Sequence, residues 1–172
     1  MMAAMSDPMP DPMSDPMPDV ETLVPHSGHM VLLERVVSAD ADNLCAEVRI
    51  HAGSVLATEQ GVGSWVGIEY MAQAIAAHAG WLARQRGDAV KVGFLLGSRK
   101  YEASVPYFAP GSVLLVHVHR VLQAENGLGA FDCRIVPADA GADASAATLA
   151  TATVTVFQPD NVNQFLKDGN VA

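Results

Sequence analysis

The sequence is poor in cysteine, in basic residues and in long apolar runs. It has 2 cysteines, 10 basic against 19 acidic residues, and a formal net charge of −9. Cys45 and Cys133 stand in apolar runs without metal-ligand spacing, which predicts two buried thiols in a reducing compartment. The negative charge argues against a nucleic-acid partner. No apolar run approaches the roughly 20 residues of a membrane span and no signal-peptide pattern is seen, so we expect a cytoplasmic protein.

Half of the residues are hydrophobic and 17% are charged, which predicts one globular domain in a chain of 172 residues. The N-terminus differs, because Met-Ser-Asp-Pro-Met-Pro-Asp occurs at residue 5 and again at residue 13. Proline at this spacing is incompatible with helix and sheet. We therefore predict a disordered tail over residues 1–24, a domain over 25–158 and a loose extension over 159–172. A peptide-ligand role for the tail is the alternative.

Strand patterns flank one helical segment. Residues 31–37 and 44–50 predict a hairpin, whereas residues 51–63 are typical of a loop. Residues 64–82 predict a helix that ends near Gly87 and has small residues nearly all round. About four strand patterns follow, over residues 90–104, 113–122, 129–136 and 148–157, with a mobile loop predicted over 137–147. The order indicates an α+β fold in which a curved antiparallel sheet wraps round one central helix.

Glu69 is the single carboxylate in this helix. An acid is rarely fully buried without a partner or a task, and burial would favour its neutral, proton-donating form. Gln73 follows four residues later, about 40° away round the helix, and can hydrogen-bond the carboxyl group. The alternative is that Glu69 is only a hydrogen-bond anchor between helix and loop.

Three motifs in order resemble the 3-hydroxyacyl-[acyl-carrier-protein] dehydratases, which have the hotdog fold. Pro25-His26 with residues 32–36 resembles the opening motif of that family, and residues 69–73 resemble its Glu-x-Met-Ala-Gln helix motif. Residues 97–100 and 105–114 resemble its Gly-x-x-Lys and Pro-x-x-Pro-Gly segments. The resemblance covers residues 25 to about 158. It implies dehydration of a 3-hydroxyacyl thioester and no metal or other cofactor.

One departure narrows the resemblance. The dehydratases carry their catalytic histidine in the loop before the helix, but residues 56–64 contain no histidine. In this respect the chain resembles the divergent dehydratase-like proteins of aryl-polyene clusters, which share the run from Trp65 to Gln73. The resemblance thus implies that Glu69 is the acid and that the base is another histidine of this chain or one from a second, different subunit.

Two histidines of this chain are candidates for the base. His26 is the first, because it stands in the matched motif, although it could instead cap a turn. His51 is the second. His78 lies about 180° from Glu69 round the helix and suggests packing or a subunit contact. His117 and His119 share one strand face, which suggests a polar sheet surface more than a metal site.

Substrate contacts are predicted at the start of the helix, where a backbone N–H of Ser64 or Trp65 could polarise the thioester carbonyl. The resemblance implies an acidic acyl-carrier protein as partner, which favours a basic rim around the pocket mouth, although an ordinary solvated face is the alternative. The candidates for this rim are Arg84, Arg86, Lys91, Arg99 and Lys100. It also implies a homo- or heterodimer with another hotdog subunit, joined edge to edge. Thioester hydrolysis and a non-catalytic, carrier-binding role are the alternative functions.

Overall fold

The structure, a computed structural model, describes residues 16–141 and 147–168. The predicted disordered tail falls largely on residues 1–15, which lie outside this range, as do residues 142–146 of the predicted mobile loop. None of the helices in the described ranges is long and apolar enough to cross a membrane.

The main sheet has six strands, all paired antiparallel, in the order β1-β2-β7-β8-β9-β5. A small second sheet has the order β3-β4-β6 and forms within residues 57–108, partly in the segment predicted to be a loop. The strands are β1 (Arg35–Ala39), β2 (Asn43–Arg49), β3 (Ala57–Thr58), β4 (Gly61–Gly63), β5 (Phe94–Ala103), β6 (Tyr107–Phe108), β7 (Val113–Gln123), β8 (Leu128–Pro137) and β9 (Ala150–Phe157).

The long helix α1 spans Gly67–Gln85 and is preceded by one 3₁₀ turn, Ser64–Val66. Its small residues allow close packing, as predicted. A Cβ atom at Gly80 would overlap the carbonyl group of Leu23, and one at Gly67 would overlap the hydroxyl group of Tyr101. The predicted α+β architecture, with an antiparallel sheet and one long helix, is confirmed.

The core lies between α1 and the inner face of the sheet. Alternate residues of the central strands point to α1 and are buried, among them Val116 of β7, Ile135 of β8 and Val154 of β9. Cys45 and Cys133 are buried free thiols, as predicted. Burial raises the pKa of Cys133 to about 12, so its thiol stays protonated.

Both predicted domain boundaries need correction. Val20, Leu23 and Val24 are buried in the core, because apolar side chains at the end of the predicted tail pack on α1 and the sheet. At the other end, residues Val162–Asp168 form a helix, α2, rather than a loose extension. Phe165 of α2 packs on Phe94 and Phe157, which gives this segment a defined position.

Candidate active site

A slot of about 160 Å³ runs between one stripe of α1 and the strands β5, β8 and β9. Glu69, Ala72, Ala76 and Ala79 line it from the helix, at a spacing that keeps them on one face. At 1.5 Å per residue this stripe is about 15 Å long. The opposite wall is mainly aromatic and apolar, with Phe94, Leu95, Phe131, Val156 and Phe157. The slot therefore offers a narrow apolar channel with a carboxylate at one end.

Glu69 and His26 meet in this slot. Nε2 of His26 lies 3.6 Å from Oε1 of Glu69, and the two side chains are 30% and 40% exposed. The expectation that Glu69 is held out of water is therefore wrong for the isolated chain. Glu69 lies in the first turn of α1, and its side chain lines the slot and not the core.

Gln73 holds the carboxylate in place. Its Nε2 donates to Oε1 of Glu69 at 3.0 Å and to the carbonyl oxygen of Met30 at 2.9 Å, while its Oε1 accepts from the N–H of Leu32 at 2.9 Å. Gln73 is fully buried, so these bonds satisfy a side chain that would otherwise be costly to bury. One side chain thus ties the segment after His26 to α1 and orients Glu69.

The other ring nitrogen of His26, Nδ1, is buried and makes no hydrogen bond to any residue in the described ranges. A histidine that caps a turn would bond a backbone group, so this observation disfavours the capping alternative.

Ser64 and Trp65 do not line the slot. Ser64 is buried, its N–H donates to the carbonyl oxygen of Pro106 at 3.0 Å, and its own carbonyl accepts from the hydroxyl group of Tyr101. Burial raises the pKa of Tyr101 to about 12, which keeps that hydroxyl protonated. Trp65 is 64% exposed on the surface. The N–H of Ser64 is therefore already used within the fold, whereas a thioester contact at the N–H of Trp65 stays a prediction.

The second candidate base, His51, lies apart from Glu69. It borders a different cavity, with His29 and Tyr70, and its Nδ1 accepts from the N–H of Gly53 at 3.1 Å. Of the two candidates, only His26 is brought to the carboxylate.

The other three histidines considered in the sequence, His78, His117 and His119, lie outside the slot. His78 is 1% exposed, donates from Nε2 to the carbonyl oxygen of Asp40 at 3.0 Å and packs edge-on against Phe131. Burial lowers its pKa, which keeps the ring neutral. His117 and His119 lie on the outer face of the sheet, and Nδ1 of His119 is 2.8 Å from Oδ1 of Asn43. Within residues 16–141 and 147–168, no three His, Cys, Asp or Glu side chains are placed to hold a metal ion.

The predicted basic rim is divided between two places. Arg84 and Arg86 lie at the C-terminal end of α1, where Arg86 pairs with Asp88 at 3.3 Å. Arg99 and Lys100 lie on β5, and Lys100 lines a groove on the outer face of the sheet. A bulge with positive φ at Lys100 interrupts the register there. The four residues therefore do not form one patch around the slot.

Sequence reasoning missed the aromatic wall. Phe94 and Phe157 are register partners on β5 and β9, and both line the slot with Phe131. Their only signal in the sequence is an apolar position in a strand pattern. Lys91, the fifth candidate for the predicted basic rim, borders the slot.

An antiparallel sheet around one long helix, with an acid-bearing slot beside that helix, defines a hotdog-fold protein. The model of the ApeP-like family, described as ApeP dehydratase, matches residues 18–167. The chain belongs to this family of dehydratases, and the predicted assignment to a divergent hotdog dehydratase of the aryl-polyene type is confirmed.

A solved structure described as the dehydratase heterocomplex ApeI:P from Xenorhabdus doucetiae is similar, with 30% identity over 88% of this chain and 97% of that chain and a TM-score of 0.76. A hypothetical thioesterase with coenzyme A from Streptococcus pneumoniae matches with 14% identity over 72% and 84% of the two chains and a TM-score of 0.53. The PaaI protein of E. coli matches at 14% identity over 72% and 77%, with a TM-score of 0.51. These last two show the fold alone. No curated protein matches.

Proposed function

We propose that this chain dehydrates 3-hydroxyacyl thioesters carried on an acyl-carrier protein, in a pathway that builds aryl polyenes or similar acyl chains, and that His26 and Glu69 are its catalytic pair. The observation that supports this most directly is the approach of Nε2 of His26 to Oε1 of Glu69 at 3.6 Å, at one end of an apolar slot. A base and an acid must both reach neighbouring carbons of the substrate, and this distance allows it.

The reaction divides between the two groups. Nε2 of His26 takes a proton from C2, and the electron pair of that bond becomes the C2–C3 double bond. The C3–O bond breaks, and the hydroxyl group takes a proton from the neutral carboxyl group of Glu69 and leaves as water. The products are an enoyl thioester and water. The proton then on His26 returns to Glu69 across the short gap between them, which restores both groups.

The partner that we propose is a second hotdog subunit that pairs with β5. Strand β5 is an edge strand of the main sheet and exposes Leu95 and Leu96. An open, apolar edge of this kind can pair with a strand of another subunit. Tyr101 of β5 contacts Ser64 just before α1, and Phe94 and Leu95 line the slot. A strand paired with β5 would thus run beside the slot and reduce the exposure of Glu69 and His26. The similarity to one component of a dehydratase heterocomplex supports a different chain as this subunit.

The test uses a 3-hydroxyacyl carrier protein, with the purified chain alone and mixed with a second hotdog dehydratase, and follows the products by mass spectrometry. We expect an enoyl thioester. Glu69→Gln should slow its formation by about 10²–10⁴-fold. Glu59→Gln, a change of the same type at an exposed loop position, is the matched control and should have no effect.

Three results would contradict the proposal. Release of free acid and thiol would mean thioester hydrolysis instead of dehydration. Enoyl formation that is unchanged in Glu69→Gln would exclude the proposed acid. Activity in the mixture that survives Glu69→Ala would mean that this chain binds or stabilises its partner without doing chemistry.

A further inference from the structure

The end of the slot away from Glu69 is formed by two rings. Phe94 begins β5 and pairs in register with Phe157 at the end of β9, and both rings line the slot. Tyr101 of β5 contacts Ser64 at the start of α1. Phe94 precedes Tyr101 by seven residues on the same strand, which is about 23 Å at 3.3 Å per residue. The ring pair therefore lies toward the C-terminal end of α1, and Glu69 lies at the other end.

A third ring supports this pair from outside the slot. The centroid of Phe165 lies 5.1 Å from that of Phe94 and 5.1 Å from that of Phe157, with tilted ring planes. These are distances at which aromatic rings attract each other. Phe165 itself is not among the residues that line the slot.

Helix α2 has little other attachment. It is seven residues long and has no buried residue, and Oδ1 of Asn161 accepts from the N–H of Gln164 at its first turn. Just before it, Nε2 of Gln158 donates to the carbonyl oxygen of Lys91, and both residues border the slot. The ring contacts of Phe165 are thus the main link between α2 and the domain.

We infer that Phe165 is a positioning residue that holds Phe94 and Phe157 against the acyl chain and so sets the selectivity of the slot for chain length. The inference rests on the proposed function, since it takes the ligand to be an acyl thioester. Only an acyl chain long enough to pass from Glu69 to the ring pair is affected by Phe165. A short chain occupies the Glu69 end alone and does not reach the rings.

The test measures the binding of two probes to the full chain by calorimetry: 3-hydroxybutyryl-pantetheine as the short probe and 3-hydroxyhexadecanoyl-pantetheine as the long one. Phe165→Ala should raise the Kd of the long probe about three- to tenfold, the range that loss of aromatic contacts gives. It should leave the Kd of the short probe unchanged. In turnover, the loss for the long substrate should appear in KM and not in kcat.

Two variants separate positioning from a general structural effect. Phe165→Tyr keeps the ring and should retain the wild-type Kd for both probes. Leu166→Ala removes the neighbouring, exposed apolar side chain of α2 and should also have no effect. A general loss of structure in Phe165→Ala would weaken both probes equally.

Equal effects on both probes, no effect on either, or failure of the wild-type chain to bind the long probe more tightly than the short one would overturn the inference. Its failure is distinguishable from that of the proposed function. If Phe165→Ala changes binding in a length-dependent way but no enoyl thioester forms, the proposed function fails and the role of Phe165 stands.

Discussion

Two histidines beside the core, His26 against helix α1 and His78 within it, differ in exposure and in hydrogen bonding. On the slot side, His26 is partly exposed, faces Glu69 and leaves Nδ1 without a partner among the described residues. On the core side, His78 is buried, hydrogen-bonded to Asp40 and packed against Phe131. The ring of His26 is the one that we propose as the base, whereas the ring of His78 is neutral and its Nε2 is hydrogen-bonded within the fold. In the proposed mechanism, the side of α1 that faces the slot carries the acid Glu69, and the side that carries His78 contributes to the stability of the core.

The largest expected effect is the loss of activity on replacing His26 by glutamine, compared with the same replacement at His78. His26→Gln should reduce dehydration about 10²–10⁴-fold and leave the melting temperature unchanged, because the ring makes few structural contacts. His78→Gln should lower the free energy of unfolding by about 1–3 kcal/mol, because the buried ring gives up its bond to the carbonyl oxygen of Asp40 and its edge-on packing on Phe131. Its activity should remain near that of the wild type. Enzyme assay and thermal unfolding of both variants check this, and a shared phenotype would remove the distinction between the faces.

The next effect is expected at Gln73, which links Glu69 to the backbone of Met30 and Leu32. Gln73→Met keeps the length of the side chain but leaves the N–H of Leu32 and the carbonyl of Met30 without their bonds. We expect a loss of about 1–3 kcal/mol in the free energy of unfolding, measured in urea, together with slower dehydration because Glu69 loses its support. Gln60→Met, at an exposed position, is the control. Full activity in a destabilised Gln73→Met would show that Glu69 needs no orienting bond.

The smallest expected effect is on the pH dependence of stability. Burial lowers the pKa of His78 in the folded state, so the unfolded state binds more protons below the ordinary histidine value of about 6.5. Stability should therefore fall as the pH decreases from 7.5 to 5.5. The neighbouring Asp40 has a lowered pKa, chiefly because the N–H of Asp42 donates to its carboxylate, and its contribution is lost only below about pH 4.

His117 also has a pKa lowered by burial and contributes to the same fall. The melting temperature should decrease by a few degrees in the wild type over this range and by less in His78→Gln. Melting curves at the two pH values test this, with His117→Gln measured in parallel. An identical decrease in wild type and His78→Gln would show that the buried ring does not titrate on unfolding.

The parts of the site that could be predicted are those in which the 3.6-residue period of the helix sets which side chains share a face. The spacing of Glu69 and Gln73 predicted their contact, and the small residues of α1 predicted close packing on most sides. The prediction of a carbonyl-polarising N–H at Ser64 did not foresee that this N–H already donates to the carbonyl oxygen of Pro106, because that bond joins two segments far apart in the sequence. The exposure of Glu69 was also missed, because burial was inferred from its apolar neighbours along the helix and not from what covers that face.

The sequence alone determined the central helix, the alternation of the strands and the acid with its glutamine, because fixed repeats of 3.6 and 2 residues set which side chains share a face. Only the tertiary structure decided that His26, and not His51, lies against Glu69. It also decided that Phe94, Phe157 and Phe165 meet at the far end of the slot. Distances between elements depend on loop paths and sheet register, and no periodic pattern in the chain encodes them.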